Sequence, residues 1–188
     1  MRKNSQKEFS DIKEYLHSLD IVVSIGIDHS SSIPRLAQLT QKTNQFNLTT
    51  KRYSEEDVKS FQNNPNQNVM QFSVKDKYGD MGLTGMIIFI NEAEEVVIDT
   101  FLLSCRILGR DIELAFMNYC LDYVIQKYHP DKIKASYIKT KKNAQTEFFW
   151  DKLNFELLSE SNGEKNYHLK SGSFKKNTYD YINIQILN

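Results

Sequence analysis

The sequence has few of the residues that build metal sites or disulfide frameworks. It contains two cysteines, Cys105 and Cys120, and four scattered histidines without ligand spacing. Two cysteines with no CxxC pair and no neighbouring histidine are typical neither of a disulfide-stapled secreted domain nor of a zinc site. We therefore expect no metal cofactor.

Long apolar runs and a net charge are also missing. No stretch approaches the roughly 20 apolar residues that cross a bilayer, and the N-terminus lacks the apolar centre of a signal peptide. The 24 Lys and Arg residues are balanced by 24 Asp and Glu residues. A neutral chain has no general attraction to nucleic acid or to an anionic membrane, although a local basic patch is compatible with it. We expect a cytoplasmic protein without a nucleic-acid or membrane partner.

The apolar residues that are present follow an α/β pattern in a chain of 188 residues, which suits one domain. Residues 1–20 predict an amphipathic helix that either docks on a domain of residues 21–188 or ends a linker. The remaining predicted helices are 35–46, 54–61, 111–128 and 143–153, and the predicted strands are 21–27, 69–78, 83–90, 96–105, 132–139, 155–160, 166–170 and 179–187. Strand 96–105 is too continuously apolar for a sheet edge, so we place it centrally.

A glycine-containing turn joins this central strand to the long helix that follows it. The turn reads Arg106-x-x-Gly109, and Arg110 and Asp111 follow. Unpaired amide groups at a helix N-terminus favour an anion such as a pyrophosphate. An ordinary tight connection gives the same pattern, and Asp111 acts in two directions: as an N-cap it stabilises the helix, but it brings a carboxylate toward any bound phosphate.

These residues resemble motifs of the GNAT superfamily of acyltransferases. The coenzyme A motif Arg/Gln-x-x-Gly-x-Gly/Ala is matched by 106–111, and the later Asn-…-Phe-Tyr-x-Lys-x-Gly-Phe motif by 143–155. The resemblance implies the GNAT-like acyl-CoA acyltransferase fold, an α/β fold with a mixed central sheet and helices on both faces. The positions that it implies for coenzyme A binding are Leu103, Cys105, Arg106, Gly109, Arg110, Asp111, Asn143 and Trp150.

A narrower resemblance connects the chain to the C-terminal domain of FkbH-like proteins. It covers roughly residues 15 to 160, and its most specific string is TQKTNQFNLT. FkbH-like proteins join a haloacid-dehalogenase-like (HAD-like) domain to a GNAT-like one and load a glyceryl unit onto an acyl carrier protein, toward methoxymalonyl extender units. The resemblance thus implies a phosphopantetheine thiol, of coenzyme A or of an acyl carrier protein, and a HAD-like partner, since no DxDxT-type loop occurs in this sequence.

Two residues depart from the GNAT motifs. Asp111 replaces the second glycine, and Trp150 stands where many relatives place a tyrosine that acts as an acid. An indole N–H cannot donate a proton at neutral pH. These departures favour the alternative of a non-catalytic module that docks a carrier protein.

Two residues of strand 96–105 are candidate catalytic groups. Strand alternation would place Asp99 on the same face as Cys105, so that the two could share a cleft. Asp99 would act as a base, or would only make structural hydrogen bonds. Cys105 would relay an acyl group, or would be a small buried hydrophobe.

The candidate substrate-binding residues lie in the strings that resemble FkbH-like proteins. Asn44, Gln45 and Asn47 would contact an acyl group or pantetheine, or would cap the preceding helix. Asp80 is a further candidate, with a plain turn residue as its alternative. The leading hypothesis is an acyltransferase of GNAT type that binds a phosphopantetheine thiol beside strand 96–105, in glyceryl-carrier biosynthesis. The alternatives are the docking module and a small-molecule N-acetyltransferase.

Overall fold

The computed structural model describes residues 12–187, and its centre is a single mixed β-sheet. The strand order is β6-β7-β5-β4-β3-β2-β1-β8. The β4–β5 and β1–β8 pairs are parallel and the other pairs are antiparallel. The strands are β1 Ile21–Ile27, β2 Gln67–Asp76, β3 Gly79–Glu92, β4 Glu95–Leu103, β5 Lys132–Ile138, β6 Glu156–Ser161, β7 Glu164–Lys170 and β8 Ile182–Ile186.

Helices cover both faces of this sheet, as predicted. They are α1 Ile12–His17, α2 Ile33–Lys42, α3 Glu55–Asn63 and α4 Ile112–Tyr128. One core contains buried residues of α1 and α4, and a second contains buried residues of α2 and α3. Neighbouring residues of β4 serve different cores, because Phe101 faces α4 whereas Leu102 faces α2. The predicted central position of β4, between β3 and β5, is confirmed.

Local interactions define where several of these elements begin and end. Ser54 and Asp57 form a capping box at the start of α3, with both reciprocal hydrogen bonds present, near the start of the helix predicted over 54–61. Asn154 has a left-handed conformation with a φ of 60°, in the turn before β6. Tyr15 and Leu16 of α1 are buried in the larger core, so the described part of the N-terminal segment docks on the domain. The first eleven residues lie outside the described range.

The predicted helix over 143–153 is wrong. The chain there forms two short 3-10 turns, Ala144–Thr146 and Asp151–Leu153. The Thr146 hydroxyl donates to the Asn143 carbonyl oxygen at 2.8 Å, a local bond that competes with the helical ladder. Phe149 and Trp150 lie between these two turns, and both are buried.

Within residues 12–187, no helix is long and apolar enough to span a membrane. The same residues bring together no group of three His, Cys, Asp or Glu side chains that could hold a metal ion.

Candidate active site

Strands β4 and β5 part after a short parallel pairing, and a loop segment enters the gap. The pairing covers only Val97↔Lys134 and the two pairs before it. Beyond it, Leu48 donates its backbone N–H to the Phe101 carbonyl oxygen at 3.1 Å and accepts from the Ile138 N–H at 2.7 Å. Residues 46–48, the insert, therefore connect β4 and β5 through backbone hydrogen bonds, with Asn47 bridged to Leu102 in antiparallel orientation.

Two buried asparagines hold this insert in place. The Asn47 side chain accepts from the Thr50 N–H at 2.8 Å and donates to the Thr43 carbonyl oxygen at 3.2 Å. The Asn143 amide donates to the carbonyl oxygens of Asn47, at 3.0 Å, and Ile138, at 2.9 Å. Asn143 was predicted to bind coenzyme A, and Asn47 either to contact a ligand or to cap the preceding helix. The structure gives both side chains hydrogen bonds within the fold, and the bond from Asn47 to Thr43, at the end of α2, fits the capping alternative.

Phe46 separates two clefts that approach the gap from opposite faces of the sheet. Its ring packs edge-on against Phe101 at 5.4 Å and Phe149 at 5.3 Å between centroids. The larger cleft includes residues of α2, and the smaller one includes residues of α4. Phe46 is the residue that lines both clefts, and its ring packs in the core on the α4 side.

The larger cleft has a volume of about 670 Å³ and a basic lining. Five predicted site residues lie in its wall beside Phe46: Asn44, Gln45, Leu103, Cys105 and Arg106. Its cationic side chains are Arg35, Lys42, Arg106, Lys141 and Lys142. Cys105 is exposed there, so its predicted alternative as a buried hydrophobe is wrong, whereas Cys120 is fully buried in the core.

The smaller cleft, of about 220 Å³, lies at the glycine turn. Gly109 has a φ of 81°, a conformation that glycine adopts without strain, and it lines this cleft beside Glu113 and Lys152. The turn leads directly into α4, whose N-terminal amides and dipole favour an anion. The backbone of this turn is the part of the structure that could hold the phosphates of a coenzyme.

The Glu113 carboxyl group is the main departure from an anion-binding turn. One of its oxygens is buried and has no hydrogen-bond partner among the described residues. Burial raises the pKa of Glu113, and the charge of Asp111 acts in the same direction. A protonated Glu113 would not repel a phosphate, whereas its ionised form would.

The charged residues next to Gly109 do not serve the turn as predicted. Arg110 is buried and donates to the Asp76 carboxylate at 2.9 Å, so its charge is used inside the fold. Asp111 makes no side-chain cap on α4, because it has a left-handed conformation and accepts from the Tyr181 hydroxyl at 2.8 Å. The expected N-cap is therefore absent, and a terminal segment of the chain holds the carboxylate instead.

Asp99 does not share a cleft with Cys105. The β3–β4 pairing passes from Ile98 to Thr100, so Asp99 is the extra residue of a β-bulge and the expected alternation breaks there. Its carboxylate lies 2.5 Å from the Lys51 ammonium and 2.5 Å from the Tyr53 hydroxyl. Burial and this hydrogen bond raise the pKa of Tyr53. Both carboxylate oxygens are thus engaged, as in the structural alternative.

The remaining predicted site residues lie elsewhere in the fold. Trp150 is in the core, and its indole N–H donates to the Ser136 carbonyl oxygen at 3.0 Å. Asp80 lies at the start of β3, where it accepts from the Gly82 N–H at 2.7 Å, and it lines neither of the two clefts. Leu103 is fully buried, although part of it reaches the wall of the larger cleft.

Sequence reasoning missed Phe46, Glu113 and most of the basic side chains. Phe46 lies inside the string TNQFN, of which only the amide residues were predicted to bind ligand. An aromatic residue in an otherwise polar segment could have indicated its position in the site. The basic residues come from three distant segments, so no local charge run announced them.

No protein-family model matches the sequence, and no curated protein is similar to it in sequence. Solved structures of acetyltransferases are similar over most of the chain. The ribosomal-protein-S18-alanine N-acetyltransferase from Escherichia coli matches with a TM-score of 0.61 at 12% identity, over 84% of this chain and 99% of its own. A spermidine N-acetyltransferase from Vibrio cholerae, solved in complex with CoA and spermine, matches with a TM-score of 0.58 at 12% identity, over 80% of this chain and 96% of its own.

These likenesses confirm the fold that the motifs predicted. The chain has the GNAT acyltransferase fold, with the parted β4–β5 pair and the glycine turn before α4. The narrower resemblance to the FkbH-like domain stays a prediction.

Proposed function

We propose that the protein is a GNAT-type acyltransferase that moves an acyl group from coenzyme A to a small-molecule amine. The observation that supports this most directly is the pair of clefts that meet at Phe46, in the gap between β4 and β5. A structural neighbour with the same fold was solved with CoA bound, which favours a CoA thioester as the donor. The donor would lie on the Gly109 side and the acceptor on the Cys105 side.

The reaction needs few groups from the protein. The acceptor nitrogen forms a bond to the thioester carbonyl carbon, the carbon–sulfur bond breaks, and the thiol leaves with a proton. Holding the two reactants in contact supplies much of the acceleration for such a step. This direct step forms no thioester on Cys105, the predicted catalytic residue that lines the acceptor cleft. The other one, Asp99, has its carboxylate bonded to Lys51 and Tyr53.

The acceptor would differ from the spermine that the Vibrio cholerae enzyme binds. Spermine is a polycation, and the larger cleft presents five cationic side chains. Like charges brought together in a partly desolvated cleft are unfavourable, so a polyamine is a poor acceptor for this site.

Residues 46–48 impose a condition on this proposal. Leu103 donates its N–H to the Phe46 carbonyl oxygen at 3.0 Å, and Leu48 bonds both flanking strands. These bonds occupy the edges of β4 and β5 that a pantetheine arm would otherwise contact. Acyl-CoA must therefore displace the insert, or its pantetheine must stop short of it.

The test is acetyl-CoA binding followed by acyl transfer. A ligand at 100 times its dissociation constant adds about 2.7 kcal/mol, which raises the melting temperature by roughly 5 to 11 °C for a chain of this length. Dephospho-CoA and free pantetheine show whether the phosphates contribute. Transfer from isotopically labelled acetyl-CoA to a panel of amines is then followed by mass spectrometry; neither a shift nor a labelled product would overturn the proposal.

A second candidate is the non-catalytic module that docks an acyl carrier protein beside a HAD-like partner. The hydrogen bonds of residues 46–48 to β4 and β5 support this candidate, because they fill the gap in which a coenzyme would bind. A domain with this gap filled can retain the fold without the catalytic activity. Binding of holo carrier protein together with no acyl transfer to any amine would favour this candidate over the enzyme.

A further inference from the structure

The larger cleft collects basic side chains from three separate elements. Arg35 and Lys42 lie two turns apart on α2, Arg106 lies in the 3-10 turn after β4, and Lys141 and Lys142 follow β5. Strands β4 and β5 are parallel, so both carboxyl ends open into the same crevice. Such crevices are where ligands bind in many sheets with parallel strands.

Among residues 12–187, no Asp or Glu lines this cleft. The ion pairs of the same range involve none of the five cations. The whole chain is neutral, with 24 residues of each sign, so this concentration of unpaired positive charge is local. Five cations around one cleft repel one another, and an anion relieves that repulsion.

The rest of the lining suits a small organic molecule. Leu39, Phe46 and Leu103 supply apolar surface, and Asn44, Gln45 and Ser104 supply hydrogen-bonding groups. A volume of about 670 Å³ lies within the range of small-molecule sites. A single carboxylate would offset one of five charges, whereas a phosphate monoester brings a charge of about −1.5 to −2 at pH 7.

We propose that this cleft binds a small phosphorylated amine, which is the acceptor of the acyl transfer. The role as acceptor rests on the proposed function, but the binding of the phosphate does not. The phosphate lies among Arg35, Arg106 and Lys141, and the amine lies toward Phe46.

Phosphoethanolamine is the probe, because it carries both groups, and ethanolamine is its control without phosphate. Isothermal titration of the full chain without any CoA should show saturable binding of phosphoethanolamine at least about tenfold tighter than that of ethanolamine, weakening as salt rises. Arg106→Glu and Lys141→Glu should each weaken it about tenfold or more, while Lys59→Glu, an exposed charge reversal on α3 outside the cleft, should leave it within about twofold.

The reactivity of Cys105 toward charged thiol reagents is an independent measure of the positive charge in the cleft. Cys105 is exposed in the cleft, whereas Cys120 is fully buried, so thiol reagents report Cys105 alone. An anionic aromatic disulfide, 5,5′-dithiobis(2-nitrobenzoate), should react faster than the neutral 4,4′-dithiodipyridine, relative to their rates with free cysteine. That preference should fall in Arg106→Glu and persist in Lys59→Glu.

The outcomes separate this inference from the proposed function. Equal binding of phosphoethanolamine and ethanolamine, or equal losses in the Lys141 and Lys59 variants, overturns the inference. Binding of an acidic carrier protein without binding of phosphoethanolamine overturns it as well. Phosphoethanolamine binding without any acyl transfer supports the phosphate site and overturns the proposed enzyme activity. Acyl transfer only to amines that carry no phosphate supports the enzyme activity and overturns the phosphate site.

Discussion

Phe46 offers the sharpest test of how the two clefts are related. The side chain is 5% exposed and contacts the rings of Phe101 and Phe149. Truncating a buried phenylalanine to alanine costs about 3–5 kcal/mol, and for a chain of this length each kcal/mol lowers the melting temperature by roughly 2–4 °C. We therefore expect Phe46→Ala to melt roughly 6–20 °C lower than the parent.

The same change should strengthen acetyl-CoA binding although it weakens the fold. If the insert must open, the apparent dissociation constant is the intrinsic one divided by the fraction of open molecules. Removing the ring lowers the opening cost by part of its packing energy, and about 1.4 kcal/mol of that energy corresponds to a tenfold gain in affinity. Isothermal titration well below the melting temperature of the variant should show at least that gain.

Phe155→Ala is the matched control. Phe155 is also 5% exposed and packs on Trp150 at 4.9 Å, but it lines neither cleft. Its loss should lower stability by a similar amount and leave acetyl-CoA affinity unchanged. If the two variants bind acetyl-CoA equally well, or if Phe46→Ala binds it more weakly than the parent, Phe46 is not the barrier between donor and acceptor.

Three further changes test the glycine turn and the core. Asp111→Gly removes a carboxylate from a left-handed position, so acetyl-CoA should bind more tightly in isothermal titration while urea unfolding changes by no more than about 1 kcal/mol; weaker binding would contradict this. Burial raises the pKa of Glu113 in the fold above its unfolded value, so its stabilising contribution is complete at low pH and lost as pH rises. Glu113→Gln should accordingly resist urea better than the parent at pH 7 and match it below about pH 4, and an equal difference at both pH values would refute the assignment. Trp150→Phe should lose about 1–3 kcal/mol with its hydrogen bond to Ser136 and leave the pH profile of acetyl transfer unchanged, which initial rates would check.

Local patterns predicted the elements whose causes are local. The continuous apolar surface of α4, the Ser54–Asp57 capping box and the left-handed Asn154 each depend on residues within a few positions of one another. Alternation failed in β4 because one extra residue, Asp99, is accommodated by a bulge that only the pairing with β3 creates. The apolar alternation within one strand does not reveal an extra residue that has no pairing partner on the neighbouring strand.

The candidate site depends on contacts that sequence reasoning could not reach. Asn47 and Asn143 are 96 residues apart, and their hydrogen bond turns two predicted ligand contacts into parts of the fold. The basic cleft is assembled from α2 and from the turns after β4 and β5. Because the total charge is zero, composition gave no sign that five cations would converge without a carboxylate among them.

The position of Phe46 also bears on the order in which two reactants could enter. If acyl-CoA enters from the Gly109 side and displaces the insert, Phe46 has to leave its packing on Phe101 and Phe149, and the larger cleft, which it also lines, is the space beside it. An acceptor already bound beside Asn44, Cys105 and Arg106 would occupy part of the space into which the ring moves. The donor then has to open the gap before the acceptor binds, because the reverse order places two groups in one volume. Under the proposed function, this arrangement predicts that acyl-CoA binds first and that an excess of acceptor opposes its binding in initial-rate kinetics.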